Sequence, residues 1–278
     1  MKTRVFTGLA ILFPAAYIAG WAPKWLFMAV LIALVERGLY EYFYIARQER
    51  LRVFPRFGYI AGVAICLAQW AGFASHSSAP ELATLMAVTI FVPALAIWMT
   101  SDAMQYLSAV SATLFGVLYV GFTFSCLFPL RFSSMGHHFA DGRQILFFLL
   151  AVICVGDIFA YITGRAFGHR PMFARISPKK TVEGAMGGFA ASIVGGWAYA
   201  RVFWQTTDWR TVILLAGCIA VAGQVGDLTE SALKRSANLK DSGAILPGHG
   251  GLLDRVDSLL LGAPLFWLFL TLESLLRK

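Results

Sequence analysis

Charge is scarce in this chain. Only 14% of its 278 residues are Asp, Glu, Lys or Arg, against roughly a quarter in a soluble globular domain. With 58% hydrophobic residues, a water-soluble fold would need a core larger than this length encloses, whereas a bilayer solvates apolar side chains directly. Cysteine is scarce too. Cys66, Cys126, Cys154 and Cys218 each stand alone in an apolar run, with no Cys-x-x-Cys pair; this argues against a disulfide framework or zinc site and for small buried hydrophobes. No basic stripe interleaves with aromatic residues, so the net charge of +8 does not point to nucleic acid. In a membrane protein such an excess reflects topology or anionic headgroups. There is no internal repeat and no low-complexity linker to set off a soluble domain. The N-terminal apolar stretch lacks a small-residue cleavage site before the next run starts at Trp25, and reads as a retained first helix rather than a signal peptide.

What the chain has instead is long apolar runs. Against the about 20 apolar residues that a spanning helix needs, nine segments qualify, approximately 5–22, 25–44, 58–75, 81–99, 105–128, 144–164, 185–204, 211–226 and 258–276. The first two are separated by Ala22, Pro23 and Lys24, a tight hairpin punctuated by proline. The expected fold class is therefore all-α, a polytopic transmembrane helical protein. With nine spans the loops of one side carry 15 lysines and arginines and those of the other 6. The positive-inside rule then puts the N-terminus and the richer loops in the cytoplasm, as for a multi-pass inner-membrane protein. We divide the chain into structural helices, 1–140, and a catalytic membrane region, 141–278, whose cytoplasmic segments are 165–183 and 227–257.

Those two segments hold 15 of the 38 charged residues. In the later one, a helix continuing past Asp227 would put Asp227, Ser231 and Lys234 on one face, at spacings of four and three. Asp254 and Asp257, three apart at the start of the last span, likewise share a face. Hard oxygen ligands of this kind suit Mg²⁺, which keeps several waters and is completed by substrate phosphates. Between them lie Lys234, Arg235 and Lys240, and the glycine-rich turn Gly248-His249-Gly250-Gly251, whose bare amides allow close approach of an anion. Carboxylates for a metal beside cations for phosphate are the equipment of metal-assisted phosphoryl or nucleotidyl transfer.

The earlier segment follows Asp157, an acidic residue near membrane depth and so a functional candidate by default. In Ser177-Pro178-Lys179-Lys180-Thr181, two cations and two hydroxyls precede a helix starting near Ala185. Two readings stay open for it: a phosphate site at a helix start, or a cationic anchor at the interface. Glu36, Arg37 and Glu41, in the second span, are either an internal ion pair or the mark of a shorter span, and no chemistry is assigned to them.

The run Ser231, Lys234-Arg235, Lys240-Asp241, His249-Gly250-Gly251, Asp254-Arg255, Asp257 resembles the C-terminal signature of the phosphatidate cytidylyltransferases, or CDP-diglyceride synthases. Asp157, Ala160-Tyr161, Ser177 to Thr181 and Glu183-Gly184 are similar to that family too; the N-terminal half resembles it only in its apolar spans. The resemblance implies a Mg²⁺-dependent reaction of CTP with phosphatidic acid, giving CDP-diacylglycerol and pyrophosphate. It further implies Asp227 and Asp254 as a metal pair, with Asp257 and Asp241 as lesser candidates. Lys234, Arg235, Lys240, Lys179 and Lys180 would bind phosphates, helped by Ser231 or Ser177, with Thr181, His249, Gly250, Gly251, Arg255 and Asp157 lining the substrate site. A monovalent cation beside Mg²⁺ and a homodimer are left open. The lipid tails would stay in the bilayer while CTP arrives from the cytoplasm. A transporter is disfavoured, since the charges gather in loops at one surface and no inverted repeat is evident. The Asp-Gly-x-x-Ala-Arg run of CDP-alcohol phosphotransferases is absent.

Overall fold

The structure, a computed structural model, describes residues 13–100, 102–132, 141–204, 208–243 and 250–276. Its helices are α1 (Lys24–Gln48), α2 (Pro55–Ser75), α3 (Ala79–Met99) and α4 (Ala103–Gly116), the last running through a π-helical turn, Val117–Phe122, into the short α5 (Thr123–Ser125) and α6 (Leu127–Phe132). Then come α7 (Gly142–Phe167), strands β1 (Pro171–Phe173) and β2 (Ser177–Thr181), α8 (Val182–Phe203), α9 (Trp209–Ser236) and α10 (Leu253–Leu276).

Six of these stretches are long and apolar enough to cross a membrane: Pro55–Ser75, Ala79–Met99, Ala103–Phe132, Gly142–Phe167, Trp209–Ser236 and Leu253–Leu276. α3 shows why the surrounding medium must be apolar. It buries only Val88, Val92 and Ala96, a narrow stripe at fourfold spacing, while Leu82, Met86, Ile90, Phe91 and Ile97 point outward, each more than half exposed. In water that face would be untenable; in lipid it is matched.

The architecture is all-α in the main, as expected, and among the described residues it includes one small sheet. β1 and β2 form a two-stranded antiparallel hairpin, pairing Pro171 with Thr181 and Phe173 with Ser177. Pro178 breaks helical hydrogen bonding here, and an extended backbone suits the residue that precedes it. α9 is longer than the apolar pattern suggests, because no glycine or proline interrupts Asp227 to Ser236. It ends in a Schellman motif: Asn238 is left-handed (φ 55°), Leu239 N–H donates to Lys234 C=O at 2.8 Å and Asn238 N–H to Arg235 C=O at 3.1 Å. Of the four free thiols, Cys66 and Cys126 are buried as expected, but Cys154 is exposed and Cys218 only half-buried; an apolar medium tolerates a thiol facing outward.

The chain divides into two compact units, Met1–Pro129 with Leu233–Val256, and Leu130–Ala232 with Asp257–Lys278. The boundaries of this division at Leu233 and Asp257 fall inside the segment 227–257. In the first unit α2, α3 and the π-turn pack around Ala61, Ile65, Val88, Val92 and Val117, and Tyr42 of α1 donates to the Ala112 carbonyl at 2.9 Å. In the second, α7 and α8 pack backbone to backbone. A Cβ on Gly188 would lie 2.7 Å from the Gly156 carbonyl, and one on Gly184 2.8 Å from that of Ala160, the small-residue packing that membrane helices favour.

Candidate active site

In the second unit the charge gathers around Asp227. Lys179 and Lys180 are neighbours in a strand, so their side chains leave on opposite faces. Lys179 is exposed. Lys180 is half-buried and places its ammonium 2.5 Å from Asp227 Oδ2. Gly226 brings a third group in: a Cβ there would run into the Asp257 carbonyl, so glycine lets α9 and α10 meet at backbone contact, beside Asp227. The Asp257 carboxylate adjoins that of Asp227 and feels the charge of Glu230, which is 1% exposed. Asp157 on α7 feels both Asp227 and Lys180. Among the interactions described, four carboxylates thus face one lysine. That excess of negative charge in a half-buried setting fits a cation-binding role. Among the described residues no three His, Cys, Asp or Glu side chains are placed to enclose a metal ion, so water or substrate oxygens would have to complete its shell.

The first unit holds the glycine-rich turn. Asp254, in the first turn of α10, receives Lys234 Nζ on Oδ1 at 2.5 Å, and on Oδ2 the backbone N–H of Ser242 and of Gly251, each at 2.9 Å, plus the Ser242 hydroxyl at 3.0 Å. Lys234 and Asp254 are 13% and 9% exposed, so this is a nearly buried, charge-assisted pair. Gly250 is left-handed (φ 79°), and a Cβ on it would stand 2.7 Å from Asp254 Oδ2. Here the glycine is needed on both counts.

The remaining predicted residues are less gathered. Arg235 is exposed and donates to the Leu239 carbonyl at 2.9 Å, closing the turn after α9. Lys240, Asp241 and Arg255 are exposed, while Ser231 and Ser177 are half-buried. His249 lies outside the described residues, as does Gly248. Thr181 proves to be the N-cap of α8, its Oγ1 accepting from Gly184 N–H at 3.1 Å. The helix start expected to attract phosphate is therefore capped by the protein itself. Glu183 accepts the N–H groups of His169 and Arg170 at 3.1 and 3.2 Å, tying down the connection from α7. Bonds from its own N–H and from those two hold its carboxyl below the usual carboxylate range.

Sequence reasoning assigned nothing to Glu41, Ser242, Gly226 or Glu230, all of which the fold draws into these two clusters. For Glu41 a signal existed, a carboxylate inside an apolar span. For the others there was none beyond proximity to the charged run.

Comparison with known proteins covers nearly the whole chain. The model of the cytidylyltransferase family matches residues 2–273. A protein of Bacillus subtilis named phosphatidate cytidylyltransferase is 30% identical over 99% of this chain and 99% of its own. One of the same name from Synechocystis sp. is 30% identical over 95% of this chain and 94% of its own. A third, from Brucella abortus, is 43% identical, and there the chain spans about half the length of its relative, 55% of each. The chain belongs to the cytidylyltransferase family.

Proposed function

We propose that the chain is a phosphatidate cytidylyltransferase, transferring the cytidylyl group of CTP to the phosphate of phosphatidic acid. An oxygen of the lipid phosphate attacks the α-phosphorus, the bond from that phosphorus to the bridging oxygen of the β-phosphate breaks, and pyrophosphate leaves with the electron pair. The lipid phosphate is already ionised near neutral pH, so no strong general base is demanded. The main barrier is bringing two polyanions together. The observation that carries the reading is that Asp227 and Asp254 each hold a lysine ammonium at 2.5 Å, in a chain similar over nearly its full length to proteins of that name.

Asp227 and Asp257 would hold Mg²⁺. Asp254, kept as a ligand on the sequence pattern, carries four protein donors and would have to release one of them to meet a metal. The metal, when bound, supplies charge neutralisation on the phosphates. Lys180 and Lys234 then serve the phosphate oxygens, each starting from a carboxylate partner that keeps its ammonium ordered. The finer topology belongs to the same proposal: nine spans, a cytoplasmic N-terminus, and an inner-membrane enzyme whose substrates meet at the cytoplasmic side. The test is purified protein in detergent with labelled CTP, phosphatidic acid and Mg²⁺. Equimolar CDP-diacylglycerol and pyrophosphate are expected. Neither product, beside an active control enzyme, refutes the proposal.

A further inference from the structure

Glu41 lies in α1 and is 1% exposed, yet five donors converge on its carboxylate. Oε1 accepts Arg37 Nε at 3.1 Å, Arg37 Nη2 at 3.0 Å and the Leu252 N–H at 3.0 Å. Oε2 accepts the Leu253 N–H and the Ser242 hydroxyl, both at 2.9 Å. A carboxylate offers about four lone-pair sites, so this one is saturated by protein and has no room for a metal or a phosphate cation. Its partners show its purpose. Leu252 and Leu253 are where α10 starts, and their N–H groups are among those a helix leaves unmatched at its N-terminus. Glu41 fills that place from 211 and 212 residues away.

The turn is shaped to admit this carboxylate. A Cβ on Gly251 would stand 2.5 Å from Glu41 Oε2 and collide with the Ser242 hydroxyl; one on Gly243 would stand 2.9 Å from Glu41 Oε1. Gly251 ends the run read from sequence as an anion cradle and Gly243 lies ahead of it, and both leave room for a protein carboxylate. Ser242 joins Glu41 to Asp254. Its single hydroxyl proton has two carboxylate acceptors, Glu41 Oε2 at 2.9 Å and Asp254 Oδ2 at 3.0 Å. Glu41 thus holds from one side the serine that meets Asp254 on the other.

We infer that Glu41, acting through Ser242 and the Leu252 and Leu253 amides, is a positioning residue that fixes Gly250, Gly251 and Asp254 for cytidylyl transfer. This rests on the activity proposed above. Supporting groups of this kind change activity by about 10- to 100-fold when lost. The test compares Glu41→Gln, Ser242→Ala and the double variant with the unaltered enzyme in detergent, scaling kcat to folded protein by melting and gel filtration. Each single change is expected to lower kcat at least tenfold, with KM for phosphatidic acid held within about threefold, and the double variant to lose no more than the worse single, since both cut one path. Backbone hydrogen exchange over 250–257 should quicken in all three. A merely structural role would lower the folded fraction and leave kcat per folded molecule unchanged. Should Glu41→Gln fail to fold, Ser242→Ala alone decides, because it deletes one hydroxyl and leaves the Glu41 ion pair intact. Wild-type kcat in folded Ser242→Ala, or strictly multiplicative losses in the double variant, overturns the inference. An inactive unaltered enzyme would sink the activity reading instead, and the exchange data would still report on the turn.

Discussion

Lys234→Met removes the cation from a pair whose side chains are 13% and 9% exposed. Methionine keeps the length and apolar stem of lysine, so the change isolates the ammonium. Breaking a buried ion pair by deleting one partner costs about 3–5 kcal/mol, because the other charge is left uncompensated. Here Asp254 keeps three donors on Oδ2, from Ser242 N–H, Ser242 Oγ and Gly251 N–H. Only Oδ1 loses the partner described for it, which places the cost near the lower end, about 3 kcal/mol. For a chain of this size that corresponds to a fall of roughly 6–12 °C in melting temperature. Asp254→Asn, paired with Lys234→Met, should restore much of the loss, since an amide and a thioether leave no charge behind. The assay is thermal unfolding in detergent for both single variants and the double. A Lys234→Met melting temperature within about 2 °C of the unaltered protein, or a double variant whose loss is the sum of the singles, would show that the pair is not coupled as the geometry requires. Activity should fall at least 100-fold in all three, since each lacks the phosphate cation, the carboxylate or both.

Gly226→Ala should cost about 1–3 kcal/mol as an overpacked contact against the Asp257 carbonyl, and should lower kcat by parting Asp227 from Asp257; normal melting and turnover together would remove Gly226 from the argument. Lys180→Ala is expected to reduce kcat/KM for CTP at least 100-fold and Lys179→Ala less than tenfold, because only Lys180 meets Asp227; equal effects would refute the division that the strand imposes. The Glu183 carboxyl is held low, so its contribution is present above the ordinary carboxylate range and is lost as pH falls through its lowered value. The protection of the His169 and Arg170 amides, exchange measured relative to the intrinsic rate at each pH, should therefore fall on acidification, and Glu183→Gln should flatten that dependence; an unchanged pH profile in the variant would contradict it.

How much of this was legible beforehand depends on sequence distance. The i, i+3 and i, i+4 relations of Asp227, Ser231 and Lys234, and of Asp254 and Asp257, needed only that α9 and α10 extend beyond their apolar runs, a condition stated from the sequence and met by the structure. The strand at Ser177–Thr181 was not legible, since five residues with a proline give no period to measure. Its consequence, the separation of Lys179 from Lys180, was therefore hidden.

Glu41 marks the boundary of what local pattern can reveal. Its position inside an apolar run made it costly, and the adjacent turn supplied an innocent partner in Arg37, four residues away. That local pair would satisfy one oxygen of the carboxylate. Burial to 1% demands that both be satisfied, and the second oxygen meets Ser242 and Leu253, more than 200 residues distant in sequence. The glycines at 243 and 251 carried the complementary half of the signal, since a glycine often marks where something approaches closely. From sequence Gly251 reads, with its turn, as an anion site, and Gly243 carries no assignment. A buried carboxylate without enough local donors and a glycine-rich turn with unassigned amides are two incomplete inventories, and only a contact between distant segments completes both.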